Sequence, residues 1–169
     1  MNSIPVEIER KFVILMPDVT LLEKMPGYTK SEITQIYISS LPRVTHRVRK
    51  REYSETTVYT ETKKIRIDSI SAYEDEREIS EEEYLSISEN IKKDTSPIKK
   101  VRRTAVYKGK TLEIDIYPNW NKTAILEVEL SDREEYFDLP EFIKVILEVT
   151  GDKKYSNASM AISFPRELI

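Results

Sequence analysis

The sequence predicts an α+β protein built on eight antiparallel strands with a few flanking helices. Polar and apolar residues alternate with a period of two along most of the 169 residues, and this period is typical of strands. Most connections between the alternating segments are short, which favours antiparallel hairpins. The chain contains only 3 glycines and no serine- or glycine-rich linker, so we expect a single domain over residues 1–169.

Each predicted strand places alternate side chains on opposite faces. In Thr57–Ile65, this alternation places Tyr59, Glu61 and Lys63 on one face. The eight predicted strands are Val6–Phe12, Ile33–Ser39, Thr45–Arg51, Thr57–Ile65, Ser71–Ile79, Ile98–Lys108, Lys110–Tyr117 and Thr123–Leu130.

Other segments show helical spacing. Pro17–Lys24 is predicted to be a short helix that ends before Pro26. Ser80 and Glu83 form the pattern of a capping box at the start of a second helix. A third helix is predicted over Leu139–Thr150, capped by Asp138 and ended by Gly151, and a short helix is expected at Ser156–Ile162.

Composition excludes several classes of function. The chain has 27 Lys and Arg against 30 Asp and Glu, a formal net charge of −3, which argues against a protein that coats nucleic acid. The absence of cysteine excludes disulfides and thiolate chemistry, and the single histidine, His46, excludes a multi-histidine metal site. No apolar run approaches the ~18–20 residues that span a bilayer, and the first residues lack the apolar centre of a secretory signal. We therefore expect a soluble, cytoplasmic protein.

Charged residues recur two positions apart on strand after strand. The motifs are Glu7/Glu9/Lys11, Arg47/Arg49, Glu76/Glu78, Lys100/Arg102, Glu113/Asp115 and Glu127/Glu129, and Lys63 adds a single charge on a seventh strand. One arrangement that satisfies this pattern is an antiparallel sheet packed on helices, with every charge facing water. The other is a barrel with its charged faces turned inward around a hydrated interior. The segregation of signs by strand favours the second arrangement, but the pattern alone leaves both open.

The order of these motifs resembles the CYTH superfamily, the triphosphate tunnel metalloenzymes. Glu7, Glu9 and Lys11 resemble its N-terminal ExExK signature, and the later basic and acidic motifs follow in the same order as in the superfamily. Residues 154–159 resemble its C-terminal segment. The resemblance covers Glu7 to Ala161 and implies a closed, eight-stranded antiparallel β-barrel, the triphosphate tunnel. It also implies a hydrophilic, charged lumen and flanking helices.

The resemblance implies a divalent-metal-dependent enzyme that hydrolyses inorganic triphosphate (tripolyphosphate) or a related triphosphate compound by metal-activated water. Arginine suits phosphate because its planar fork donates two parallel hydrogen bonds, whereas lysine acts as a compact point charge. The expected substrate ligands are Lys11, Arg47, Arg49, Lys63, Lys100, Arg102 and Lys154.

Mg²⁺ and Mn²⁺ prefer oxygen ligands, which the carboxylate motifs supply. The resemblance assigns a first Mg²⁺ or Mn²⁺ ion to Glu7, Glu9 and Glu129, and a second ion to Asp115 or Glu127. The expected catalytic residues are Glu7, Glu9, Lys11, Glu76, Glu78 and Asp115. Two roles remain open for Glu76 and Glu78, which either orient the basic side chains or position the attacking water. With no cysteine and one histidine, we expect direct hydrolysis without a covalent intermediate.

Other activities use the same residue types. A class IV adenylyl cyclase that makes cyclic AMP from ATP, and a nucleoside or thiamine triphosphatase, both remain alternatives. A non-catalytic polyphosphate binder is the alternative from another class, although the four glutamates Glu7, Glu9, Glu127 and Glu129 are all present. The expected partner is a small-molecule triphosphate, with neither nucleic acid nor membrane, and a homodimer is left open.

Overall fold

Nine strands in one antiparallel sheet make up most of the protein. The structure is a computed structural model that describes residues 3–169, the side chain of Ser40 excepted. The strands are β1 (Val6–Leu15), β2 (Thr29–Ser40), β3 (Val44–Glu52), β4 (Thr57–Arg66), β5 (Ser71–Ile79), β6 (Ile98–Tyr107), β7 (Lys110–Ile116), β8 (Thr123–Glu129) and β9 (Val145–Glu148). The helices are α1 (Val19–Leu22), α2 (Glu81–Ser88) and α3 (Asn157–Met160), and a 3₁₀ turn covers Lys153–Tyr155. The eight predicted strands are confirmed.

Eight of the strands close into a barrel because β1 pairs along both of its edges. The order around the barrel is β1, β5, β4, β3, β2, β6, β7 and β8, and β8 returns to β1. On one edge of β1, residues 9–15 pair with β8. On the other edge, residues 6–8 pair with residues 71–73 of β5. The predicted closed antiparallel barrel is confirmed, and the second arrangement of the charged faces is the correct one.

The ninth strand replaces a predicted helix. The prediction of a helix over Leu139–Thr150 is wrong, because Val145–Glu148 form β9, which pairs with residues 12–14 of β1. Beyond its three pairs with β5, this edge of β1 offers backbone groups that need partners. The extended chain supplies them; for example, the backbone N–H of Leu15 donates to the carbonyl of Lys144 at 2.9 Å. This non-local pairing overrides the local helical spacing.

The other predicted helices are confirmed in shorter form. The capping box of α2 is complete: the hydroxyl of Ser80 accepts from the backbone N–H of Glu83, and the Glu83 carboxylate accepts from the backbone N–H of Ser80. Tyr84 of α2 packs with Val48 and Ile79 on the outside of the barrel.

No helix among the described residues is both long and apolar enough to cross a bilayer. The predicted compartment and oligomeric state stay predictions.

The apolar faces of most strands point outward. Leu112 and Ile114 of β7 and Leu126 and Val128 of β8 are fully buried beneath α1 and the chain between β8 and β9. The alternate residues on the same strands therefore point into the barrel. Burial of the outer faces stabilises the fold at about 25 cal/mol per Å² of apolar surface, which leaves the inner faces free to carry charge.

Toward one end of the barrel, the inward side chains change from charged to apolar. On β1 the inward series that includes Lys11 ends in Val13, and on β8 Glu127 is followed by Ile125. Val13 and Ile125 belong to a buried cluster that also contains Tyr117, together with residues of the C-terminal segment, residues 149–164. The C-terminal segment and this cluster fill the end of the barrel on the side of β1, β7 and β8.

Candidate functional site

The barrel contains a cavity of about 850 Å³. Eleven basic and eight acidic side chains line it, so the cavity has an excess of positive charge although the whole chain has a formal net charge of −3. The basic residues are Lys11, Arg43, Arg47, Arg49, Arg51, Lys64, Arg66, Lys92, Lys100, Arg102 and Lys153. The acidic residues are Glu7, Glu9, Asp68, Glu74, Glu76, Glu113, Glu127 and Asp152. A polar cavity with this charge favours a polyanionic ligand.

On one side of the cavity, buried carboxylates neutralise the cations. Arg102 of β6 donates from Nε and Nη2 to the two oxygens of Asp115 at 2.7 and 2.9 Å, and Lys100 Nζ donates to the same carboxylate at 2.6 Å. Asp115 is fully buried; burial acts to raise its pKa, but Arg102 and Lys100 hold the pKa well below its ordinary value. Arg102 also contacts Glu113 and lies 3.6 Å from Glu127. This side is therefore close to charge balance.

On the opposite side, β3 presents arginines without acidic partners. Arg49 is only 9% exposed, and its Nε and Nη2 donate to the amide oxygen of Gln35 at 3.1 and 2.8 Å. The Nε of Arg47 is buried with no hydrogen-bond partner. In the described part of the chain, neither arginine lies within 4.0 Å of a carboxylate. Burying a cation without a counter-ion costs free energy. A negatively charged ligand bound on the β3 side would offset this cost.

Lys64 of β4 lies among carboxylates from two other strands. Its Nζ is 2.7 Å from Glu7 and 4.0 Å from Glu9 on β1, and 3.5 Å from Glu74 on β5. Burial raises the pKa of Glu7, and Lys64 opposes this effect. The cation therefore supports the ionised state of an acidic cluster inside the barrel.

Glu9 and Glu127 bring further negative charge to the wall formed by β1 and β8. In the register of these strands, Glu9 pairs with Glu129 and Lys11 pairs with Glu127. Burial and the neighbouring Glu127 raise the pKa of Glu9 to about 7. Burial also acts to raise the pKa of Glu127, but Lys11 and Arg102 lower it to about 2. Among residues 3–169, no group of three acidic or histidine side chains is close enough to hold a metal ion by itself.

Comparisons with solved structures identify proteins of similar fold. The crystal structure of the inorganic triphosphatase NE1496 matches with 23% identity and a TM-score of 0.59, covering 98% of each chain. PH1819 from Pyrococcus horikoshii OT3 matches with 22% identity and a TM-score of 0.56, covering 76% of this chain and 80% of that chain. HpAC1 from Hippeastrum matches with 14% identity and a TM-score of 0.52, covering 76% of this chain and 81% of that chain. Neither a scan against protein-family models nor a search of curated proteins gives a match.

The chain shares the fold of these proteins, here a closed eight-stranded antiparallel barrel around a charged tunnel. The structure brings most of the predicted site residues together in the tunnel. Those that line the cavity are Glu7, Glu9, Lys11, Arg47, Arg49, Glu76, Lys100, Arg102 and Glu127. Those that do not are Lys63, Glu78, Asp115, Glu129 and Lys154.

Each of the two predicted lysines that do not line the cavity is adjacent in sequence to another lysine that does. Lys63 is exposed outside the tunnel, whereas Lys64 lines it. The predicted phase of β4 is therefore wrong by one residue, and Glu61 of the predicted inner face instead pairs outside with His46 at 3.0 Å. Lys154 is exposed against the ring of Tyr155, and Lys153 lines the tunnel in its place.

The three predicted carboxylates that do not line the main cavity differ in their surroundings. Asp115 points into the barrel but is fully buried beneath Lys100 and Arg102, which bind both of its oxygens, so it does not line the cavity. Glu78 is exposed at the penultimate position of β5 and does not line the cavity. Glu129 is also exposed, and it lines a smaller cavity of about 280 Å³ that shares Glu7, Glu74 and Glu76 with the main one.

Sequence reasoning missed several residues of the tunnel. Arg43 and Arg66 lie next to each other at the ends of β3 and β4, where the backbone N–H of Arg66 donates to the carbonyl of Arg43 at 2.7 Å. Arg51 lines the cavity and donates from Nε to Ser31 at 2.8 Å. The phase of Arg51 with Arg47 was a usable signal, whereas hairpin residues such as Arg43 carry no periodic signal.

Proposed function

We propose that this protein hydrolyses a phosphoanhydride bond of inorganic triphosphate bound in the tunnel, with a divalent metal ion as cofactor. The observation that carries this proposal is a pair of arginines, the half-buried Arg47 and the buried Arg49, that line the cavity without a carboxylate within 4.0 Å. Two proteins of similar fold support it: NE1496 is described as an inorganic triphosphatase, and HpAC1 is described as having a dominant triphosphatase activity.

The basic residues bind and orient the phosphate chain. Arg47 and Arg49 meet its negative charge directly, because neither forms an ion pair with a carboxylate, and Glu76 acts on them only at longer range. Lys100 and Arg102 are fixed by Asp115, so they supply directed hydrogen-bond donors at little conformational cost. A polyphosphate needs this neutralisation before a nucleophile can approach, and most of the catalysis of phosphoryl transfer comes from positioning and electrostatics.

The carboxylates of β1 and β8 fit a divalent cation. Mg²⁺ is usually held by one or two carboxylates together with substrate phosphates and water, so three converging carboxylates are not required in the substrate-free protein. The raised pKa of Glu9 reflects burial and repulsion by Glu127, which Lys64 and Lys11 offset only in part and which a bound cation would relieve further. Glu7, Glu9 and Glu127 are the residues that would hold it, with Glu129 at the edge. When bound, Mg²⁺ or Mn²⁺ supplies charge neutralisation and lowers the pKa of a bound water.

The remaining chemistry requires a positioned water. Glu76 lines the tunnel, and its carboxylate accepts a hydrogen bond from the hydroxyl of Thr62 at 3.0 Å. This contact fixes the carboxylate so that it accepts a hydrogen bond from the attacking water. His46 is occupied by Glu61 outside the tunnel, which supports direct hydrolysis without a covalent intermediate.

The cavity lining favours an inorganic substrate over a nucleotide. Tyr37 is the sole aromatic residue among the described residues that line it, and it is only 4% exposed. Proteins commonly bind bases by stacking them on exposed aromatic faces, and this lining offers none. We therefore place inorganic triphosphate ahead of ATP, and hydrolysis ahead of cyclisation.

The test is phosphate release from tripolyphosphate, ATP and thiamine triphosphate, with Mg²⁺, with Mn²⁺ and with a chelator, and with cyclic AMP measured in the ATP reaction. We expect metal-dependent release that is fastest with tripolyphosphate. Arg49→Gln and Glu9→Gln should abolish turnover, while His46→Gln, a change outside the tunnel, should retain it. Near-normal turnover by Arg49→Gln, or cyclic AMP as the main product, would overturn the proposal.

A further inference from the structure

Gln35 is a fully buried amide placed directly opposite Arg49. The two residues are paired in the register of β2 and β3, and Gln35 is 0% exposed. Its amide oxygen accepts hydrogen bonds from both Nε and Nη2 of Arg49, at 3.1 and 2.8 Å. A single neutral acceptor therefore holds two of the three guanidinium nitrogens.

The orientation of this amide is fixed by a second contact. The Nε2 group of Gln35 donates to the hydroxyl of Tyr37 at 3.2 Å, and the Tyr37 ring is buried in the apolar cluster at the filled end of the barrel. A flipped amide would turn its NH₂ donors toward the guanidinium of Arg49, which is itself a donor. Tyr37 therefore keeps the amide oxygen directed at Arg49.

Arg102 shows the alternative way to hold a buried arginine. Its Nε and Nη2 make the same forked contact, but with the carboxylate of Asp115. Burial acts to lower the pKa of Arg102, yet Asp115 raises it well above its ordinary value. Burial and the cations Arg47 and Arg102 instead lower the pKa of Arg49 to about 10. Asp115 thus holds Arg102 and neutralises its charge, whereas Gln35 holds Arg49 through the same forked contact and leaves its charge in place.

We propose that Gln35 is a positioning residue that fixes the guanidinium of Arg49 without cancelling its charge, so that the charge remains for a phosphate of the bound substrate. A glutamate at this position would give a more stable protein, because a buried guanidinium without a counter-ion is costly. Glutamine gives up that stability in exchange for anion affinity, as binding sites commonly do. The inference rests on the proposed function in that the anion is taken to be a polyphosphate.

The test compares three variants with the wild type, each without metal, so that binding is separated from turnover. Gln35→Glu adds a charge with almost no change of shape, and Gln35→Met removes the acceptor. Thr34→Glu adds the same charge on the outer face of β2, where residue 34 pairs with Lys50, and serves as the matched control. Calorimetry gives the Kd for tripolyphosphate, and thermal unfolding without ligand gives Tm.

Gln35→Glu is expected to raise Tm and to weaken tripolyphosphate binding by roughly tenfold or more, since a charged hydrogen bond is lost to an internal partner. Gln35→Met is expected to lower both Tm and affinity, and Thr34→Glu to bind as the wild type does. A merely structural role of Gln35 would not raise Tm and weaken tripolyphosphate binding in the same variant, Gln35→Glu.

Two outcomes overturn the inference: wild-type affinity in Gln35→Glu, or a loss of Tm together with affinity in that variant. Failure of the proposed function is distinguishable, because the wild type would then bind tripolyphosphate without releasing phosphate when Mg²⁺ or Mn²⁺ is added. In that case the contrast between Gln35→Glu and Thr34→Glu still decides the role of Gln35.

Discussion

The ammonium group of Lys64 lies 2.7 Å from the carboxylate of Glu7, across the seam at which β1 and β5 close the barrel. This seam has only three paired positions on β1, and it is bordered on the inside by Glu7, Glu9 and Glu74. Because like charges there repel one another, the cation stabilises closure of the barrel as well as the charge balance of the tunnel.

Replacing Lys64 should therefore affect both stability and turnover. We expect Lys64→Gln to lower the free energy of unfolding by about 2 kcal/mol, since it leaves partly buried carboxylates without their cation, and to lower tripolyphosphate turnover strongly. Lys63→Gln is the matched control, because it removes the same charge one residue away on the exposed face and should change stability by less than about 0.5 kcal/mol. Urea unfolding and phosphate release measure the two effects, and equal behaviour of the two variants would contradict this role of Lys64.

Asp115 is expected to contribute to the stability of the folded protein and not to bind the metal ion. Asp115→Asn leaves Lys100 and Arg102 buried beside a neutral group, and breaking a buried pair in this way costs about 3–5 kcal/mol. Glu113→Gln is the milder comparison, because its side chain is 26% exposed and its partner Arg102 keeps Asp115. Urea unfolding gives the free energies, and Mn²⁺ titration of the folded variants reports on the metal. Unchanged stability with lost Mn²⁺ affinity in Asp115→Asn would restore Asp115 as a metal ligand.

The strands could be predicted because local alternation of polar and apolar residues indicates them. The inward direction of the charges could not be predicted from this alternation, which fits both arrangements, and it was implied only by the resemblance to the CYTH superfamily. The phase of β4 could not be predicted, because Lys63 and Lys64 are adjacent lysines and either phase places one of them in the tunnel. Only the non-local contact of Lys64 with Glu7 decides between them. The pair Lys153 and Lys154 presents the same ambiguity, and the 3₁₀ turn resolves it.

The errors beyond phase have a different cause. The segment that forms β9 has consecutive apolar residues at Val145, Ile146 and Leu147, which fit a helix face as well as a strand. Its extended form depends on the free edge of β1, which is distant in sequence. Burial is equally non-local: Glu113 and Asp115 occupy equivalent positions of one motif, yet only Asp115 is sealed behind Lys100.

The stability difference between the wild type and Glu9→Gln should depend on pH. The pKa of Glu9 is raised from 4.5 to about 7, mainly by burial and then by Glu127. The folded state thus holds this proton more tightly than the unfolded state, so the corresponding stability is fully present below pH 4.5 and is lost as the pH rises through 7. Without metal, Glu9→Gln should match the wild type near pH 4 and exceed its free energy of unfolding by about 3 kcal/mol at pH 8.

Urea unfolding across this pH range, with a chelator present, measures the difference. Added Mg²⁺ or Mn²⁺ should reduce it at pH 8, because a cation beside Glu9 removes the repulsion in the wild type. If the difference in the free energy of unfolding between the two proteins stayed constant from pH 4 to pH 8, the pKa of Glu9 would not be raised in the folded protein.

Gly151 should be the least replaceable glycine of the chain. Its φ of +74° is unfavourable for other residues, and an added Cβ would lie 2.7 Å from the Cβ and 3.1 Å from the carbonyl oxygen of Ser69. Gly109 is a matched control, with φ of +77° and no atom within 4 Å of an added Cβ. Gly109→Ala should thus cost only the backbone strain, about 1–2 kcal/mol, whereas Gly151→Ala should cost more and displace the C-terminal segment that brings Lys153 to the tunnel. Thermal unfolding and tripolyphosphate turnover measure both effects, and equal losses in the two variants would show that the close approach of Ser69 is not needed to hold that segment.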